Sequence, residues 1–155
     1  MRFQINTLGV LWPTRTLSYR RADYSFVTSP TPQDLVSYVQ VNELELGLSR
    51  SRKVCSISGL CAFTEWREMA LVPPKSVHGE IKLVDQAPLR IGVSRQLNSK
   101  RWPVFFDSGT LWMSLQGTDT EGSSIEIFQG AILTISNNGE LSAVWLHLSS
   151  DPNFV

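Results

Sequence analysis

Apolar and polar residues alternate along this chain in short runs, each closed by Gly, Pro, Asn or Asp. A period of two puts successive side chains on opposite faces, so such runs predict half-buried antiparallel strands. The pattern is clearest towards the C-terminus. Ala131–Ser136 and Glu140–Leu148 flank Asn137-Asn138-Gly139, residues that tolerate positive φ, which predicts a tight hairpin. Pro103–Phe106 and Thr110–Gln116 flank Asp107-Ser108-Gly109, the composition of a three-residue loop ending in a left-handed glycine. Thr118–Gly122 then turns the chain into Ser124–Phe128, completing a five-strand meander.

Strand-like patterns also cover Arg2–Trp12, Ser18–Thr28, Val41–Leu48, Lys53–Ser58, Glu80–Asp85 and Leu89–Ser94. Two helices are expected between them. Thr31-Pro32-Gln33-Asp34 offers an N-cap, a first-turn proline and an early acid ahead of Leu35, Val36 and Val39. Ala62, Phe63, Trp66, Met69 and Ala70 fall on one helical stripe, stopped by Pro73-Pro74, although the aromatic content also suits a strand. The expected fold is mainly β, with a β-rich α+β arrangement as its neighbour. Its antiparallel sheet is folded as a sandwich or curled barrel and closed by one or two short helices.

The 155 residues match the size of one globular domain, 1–155, with no repeat or linker to divide them. No apolar run approaches the length of a membrane helix, and no secretory pattern precedes Arg20-Arg21, so a soluble cytoplasmic protein is expected. In that compartment Cys55 and Cys61 are expected to be reduced. Their spacing is not that of a zinc site, and His78 and His147 belong to no paired ligand pattern, so neither metal nor cofactor is expected.

The common nucleotide, zinc-hydrolase and serine-hydrolase signatures are absent, which leans the reading away from an enzyme. One segment bears on catalysis. Val104-Phe105-Phe106-Asp107-Ser108-Gly109-Thr110 resembles the signature of pepsin-like and retroviral aspartic peptidases, and Leu111-Trp112 extends the likeness. The resemblance implies that Asp107 is one of two carboxylates sharing a proton. The chain holds one such tripeptide, so the second aspartate would have to come from another copy. Ile127-Phe128-Gln129-Gly130 also fits the family's later hydrophobic segment poorly. An Asp-Ser-Gly loop between two strands needs no catalytic explanation. His147, beside Trp145 and on one face with Leu141 and Ala143 by alternation, reads as a satisfied, partly buried histidine, and His78 as solvent-facing.

Charge says more. The fourteen Lys and Arg balance the fourteen Asp and Glu, yet all the cations precede Trp102. Beyond it lie six acids: Asp107, Asp119, Glu121, Glu126, Glu140 and Asp151. If these project from the C-terminal strands they present a negative field to a basic partner. Asp119, Glu121, Glu126 and Glu140 are the candidate partner-binding residues, and the expected role is a non-enzymatic protein-binding domain of inhibitor or toxin-immunity type. The alternatives are a cavity for a small molecule or lipid, lined by the five tryptophans, and the Asp107 peptidase. Arg50-Arg52-Lys53 and Arg95-Lys100-Arg101-Trp102 are cationic clusters, but the zero net charge argues against a dedicated nucleic-acid binder.

Overall fold

The computed structural model describes residues 1–85, 87–119 and 121–148. Among them fifteen strands occur in chain order: β1 Phe3–Asn6, β2 Thr16–Arg20, β3 Ser25–Ser29, β4 Leu35–Val41, β5 Leu44–Ser49, β6 Val54–Leu60, β7 Arg67–Glu68, β8 Val77–His78, β9 Glu80–Leu83, β10 Ser94–Gln96, β11 Val104–Asp107, β12 Trp112–Gln116, β13 Gly122–Phe128, β14 Ala131–Ser136 and β15 Leu141–His147. A six-stranded sheet has the order β10-β4-β5-β6-β3-β2, and a seven-stranded sheet the order β7-β11-β12-β15-β14-β13-β8. β1 and β9 form a small third sheet. Neither large sheet closes on itself, and the architecture is a β-sandwich.

Alternation builds the core. Tyr19, Phe26, Val39, Leu46 and Ile57 from the six-stranded sheet meet Met113, Leu115, Leu133, Val144 and Leu146 from the seven-stranded one, all of them buried. Each such side chain contributes about 1.5–3 kcal/mol relative to its exposed state. Ile81 and Leu83 of β9 and Phe3 of β1 join the same cluster.

Neither expected helix forms as such. Gln33 and Asp34 make a turn, and Leu35–Val41 is strand β4. The segment Leu-Val-Ser-Tyr-Val-Gln-Val alternates as well as it spirals, and Ser37, Val39 and Val41 all point inward. With three valines and a tyrosine it is stiff at χ1 and suits a pleated sheet. In the second segment a single 3₁₀ turn, Phe63–Glu65, is all that forms, and Trp66 is already extended at φ −73°, ψ 137°.

The cause is topological. Paired residues run across the seven-stranded sheet in one row, Arg67, Phe105, Ser114, Trp145, Ile132, Glu126 and His78. At about 4.8 Å per strand, its ends lie roughly 29 Å apart. Eleven residue steps join Arg67 to His78. Extended chain covers up to about 36–40 Å and reaches, whereas helix at 1.5 Å per residue covers only about 17 Å and falls short. Residues 69–76 therefore run as a strap across the sheet.

The C-terminal strands are those the pattern predicts, in a different order. β12 pairs with β15, and β13 lies on the far side of β14. The connection after β12 thus crosses the end of the sheet, giving a Greek key where a meander is expected. Gly139 adopts the left-handed conformation expected of it, φ +81°. In the other turn that role falls to Leu111, φ 63°, and not to Gly109. Ser18–Thr28 is two strands, β2 and β3, joined by a turn containing Tyr24 at φ 57°.

Candidate functional site

β12 and β14 end where β13 and β15 begin, so one end of the seven-stranded sheet gathers residues 117–119 and 121 and the hairpin 137–140. Three of the candidate acids are brought together there. Asp119 Oδ1 accepts the Glu121 N–H at 3.1 Å, closing a small turn. Gly122, the next residue, pairs with Ser136. Ser136 in turn accepts the Glu140 N–H on its Oγ at 3.2 Å and donates its own N–H to Glu140 O at 2.7 Å. Asp119, Glu121 and Glu140 are all exposed.

Glu126 does not join them. It lies further along β13 on the outer face, in a separate cleft of about 350 Å³ shared with Arg15, Trp112 and His147. Asp151 lies outside the described residues. The acidic cluster is therefore three residues at one end of the sheet, where the sequence places four.

A cleft of about 630 Å³ runs beneath this end. Asp119, Glu140 and Lys100 all line it, with Leu97, Trp102 and Leu141 among its apolar lining. The 97–102 wall is rigidly held. Asn42, itself at φ 53°, donates through Nδ2 to Trp102 O at 3.0 Å and accepts the Trp102 N–H on Oδ1 at 2.9 Å. Asn98 Nδ2 donates to the same Oδ1 at 2.8 Å, and Asn98 Oδ1 accepts the Asn42 N–H at 3.1 Å. Such a saturated network is preorganised and loses little entropy if a partner docks. Sequence reasoning misses this wall, because Asn42 and Asn98 are 56 residues apart and no local pattern links them.

Several of the cations are engaged elsewhere. Among the described residues the ion pairs are Lys53–Glu80, Arg95–Asp85, and Arg101 with both Glu43 and Glu65, all within the first 101 positions. Those two carboxylates hold the Arg101 guanidinium well above its ordinary pKa, Glu43 contributing most. Arg52 donates to the backbone carbonyls of Asp85 and Ala87 at 2.7 and 2.8 Å. Both cationic clusters thus have members committed within the molecule. Asp119, Glu121 and Glu140 take part in no ion pair among the described residues.

Asp107 occupies the β11–β12 turn at the opposite end of the sheet. Its Oδ2 accepts the Leu71 N–H at 2.9 Å, and its Oδ1 accepts those of Gly109 and Thr110 at 2.9 and 3.3 Å. The Leu71 bond does most to hold its carboxyl below the usual carboxylate range. Asp107 here ties a turn to the strap.

The tryptophans all have packing partners. Trp12 stacks on His78 at 3.8 Å and donates to Glu126 O at 3.2 Å. Trp66 sits between Tyr19 and Phe106, each 5.0 Å away. Trp102 closes over Gly117, where a Cβ would come within 2.9 Å of its ring. Trp112 lies against His147 at 4.8 Å, and Trp145 is buried beneath the strap with Leu71, Ile132 and Ala143. His147 is half-buried, with Nε2 2.9 Å from Thr110 O. Leu141 does not share its face. A bulge opposite Thr134 and Ile135 turns Leu141 into the main core, while Ala143 stays outside.

Both thiols are free. Burial pushes Cys55 and Cys61 up to about 11. No helix among the described residues is long and apolar enough to cross a membrane. No protein-family model matches the chain, and no curated protein matches it either.

Proposed function

We propose that this protein is a non-enzymatic binding domain that presents the Asp119, Glu121 and Glu140 end of its seven-stranded sheet to a basic partner protein, as small inhibitor and toxin-immunity proteins do. The observation that carries this reading is the separation of charge. Lys53, Arg95 and Arg101 pair with acids, and Arg52 bonds backbone carbonyls, all within the first 101 positions, while three exposed carboxylates on adjoining loops form no ion pair among the described residues. Like charges held together at a surface repel, and a cation brought to them relieves that repulsion. The cleft beneath, with Trp102 and Leu141 in its lining, suits the aliphatic stem of an arginine or lysine whose head reaches the rim. Two free thiols accord with a reducing compartment such as the cytoplasm.

The experiment is a comparative co-purification from native extract. The wild-type chain should retain a basic protein that salt releases. A variant carrying Asp119→Lys, Glu121→Lys and Glu140→Lys should lose it, with an unchanged urea midpoint. Equal retention by both chains would refute the acidic docking surface.

A further inference from the structure

The strap has an unusual mode of attachment. Its two ends are two-residue parallel bridges, β7 on β11 and β8 on β13, at opposite edges of the sheet. Between them, Met69 donates its N–H to Phe106 O at 2.9 Å and Leu71 donates to the Asp107 carboxylate. Among the described residues, the backbone of 72–76 makes no hydrogen bond to the sheet. One side chain plugs it in place: Leu71 is 6% exposed, whereas Val72 beside it is 86% exposed. The face beneath is apolar, with Ile132, Ala143 and Trp145 buried and Phe105 and Trp112 packed around them. On the same row Ser114 is wholly buried, and its Oγ finds no partner among the described residues. Water would satisfy that hydroxyl on opening, so the closed state lacks a bond the open one gains.

We infer that residues 69–76 are a detachable cover that opens as a unit of its own, without unfolding of the sandwich, and that the Asp107 carboxylate is its latch. The geometry assigns each part. The latch is the bond from Leu71 N–H to Asp107 Oδ2, the plug is the Leu71 side chain, and β8 tethers the far end. Opening uncovers the Ile132, Ala143 and Trp145 face. It also withdraws Lys75, which shares a cleft of about 230 Å³ with Asp119, from the acidic end of the sheet. The opening itself requires no partner, and it stands or falls apart from the docking surface.

Residue-resolved amide hydrogen exchange on the full chain tests this. In the wild type the Leu71 amide should exchange at least tenfold faster than those of Met113, Leu133, Val144 and Leu146, which lie on the three central strands. Asp107→Asn removes one acceptor oxygen at almost constant shape and should accelerate Leu71 at least a further tenfold, leaving the four core amides unchanged. Leu71→Ala should loosen Met69 in the same selective way. Leu71 exchanging at the core rate in the wild type would mean that the strap opens only with global unfolding and would overturn the inference. So would Asp107→Asn accelerating strap and core by one common factor. If Asp107→Asn does not fold, the wild-type comparison decides alone.

Discussion

The Asp107 carboxylate and the Leu71 backbone N–H lie 2.9 Å apart, joining residues 36 positions distant in the chain. This contact makes one side chain responsible for both a β-turn and the crossing strap. It also accounts for the Asp-Ser-Gly sequence without catalysis: Oδ1 organises the turn through Gly109 and Thr110, while Oδ2 reaches outward to Leu71.

Acid should weaken the fold with a defined sign. Three carboxyls are held below the ordinary range: Asp107 by the Leu71 N–H above all, Glu80 by the Asn6 amide and then Lys53, and Asp85 by the Ala87 N–H and then Arg95. Each binds its proton less readily in the folded chain than in the unfolded one. The stability they contribute is complete above the unfolded carboxylate range and is lost as pH falls through the lowered folded values. The urea midpoint should stay level near neutrality and fall below roughly pH 5. Asp107→Asn should shallow that decline, and an unchanged acid slope would show that Asp107 has no part in it.

The thiols should be inert while the chain is folded. Burial is the leading cause that takes each from 9.0 to about 11. The reactive thiolate is then scarcer by roughly a hundredfold at neutral pH than in an ordinary cysteine. A thiol-specific chromogenic reagent should therefore report slow labelling in buffer and fast labelling of both cysteines in denaturant. Rapid native labelling of Cys61 would contradict its placement in the core.

Gly59 should tolerate no side chain. It pairs with Leu44 on one side and Phe26 on the other, at φ +97°, and a Cβ there would come within 2.6 Å of Glu43 O. Both the left-handed backbone and the clash are penalised, so Gly59→Ala should cost at least about 3 kcal/mol in urea denaturation. A loss below about 1 kcal/mol would mean that β5, β6 and β3 do not meet in this register.

How much of this was legible in the sequence depended on the range of each interaction. The β14–β15 hairpin could be read because Asn137-Asn138-Gly139 and the flanking alternation are local, and Gly139 takes the conformation its composition implies. The pairing of β12 with β15 could not, since Met113 and Leu146 meet from 33 positions apart and both neighbours of β12 in sequence are equally strand-like. Leu35–Val41 fits a helical and an alternating pattern alike, and only the neighbouring β5 decides between them. The strap is invisible for the same reason. Ala62–Ala70 carries a helical stripe, but the distance it must bridge is set by five strands lying elsewhere in the chain. At the site, charge segregation was visible from composition, and so were the loop positions of Asp119, Glu121 and Glu140. The separation of Glu126 was not, because it follows from where β13 lies in the sheet.

The central claim is that the Asp119, Glu121 and Glu140 end of the sheet receives a basic segment. It is tested most directly by titrating the labelled full chain with a defined lysine- and arginine-rich peptide, following backbone amide shifts at low and moderate salt. Shifts should concentrate at residues 117–119, 121–122 and 137–142, weaken as salt rises and vanish in the triple Lys variant. Shifts scattered over both sheets, or retained in full by that variant, would contradict it.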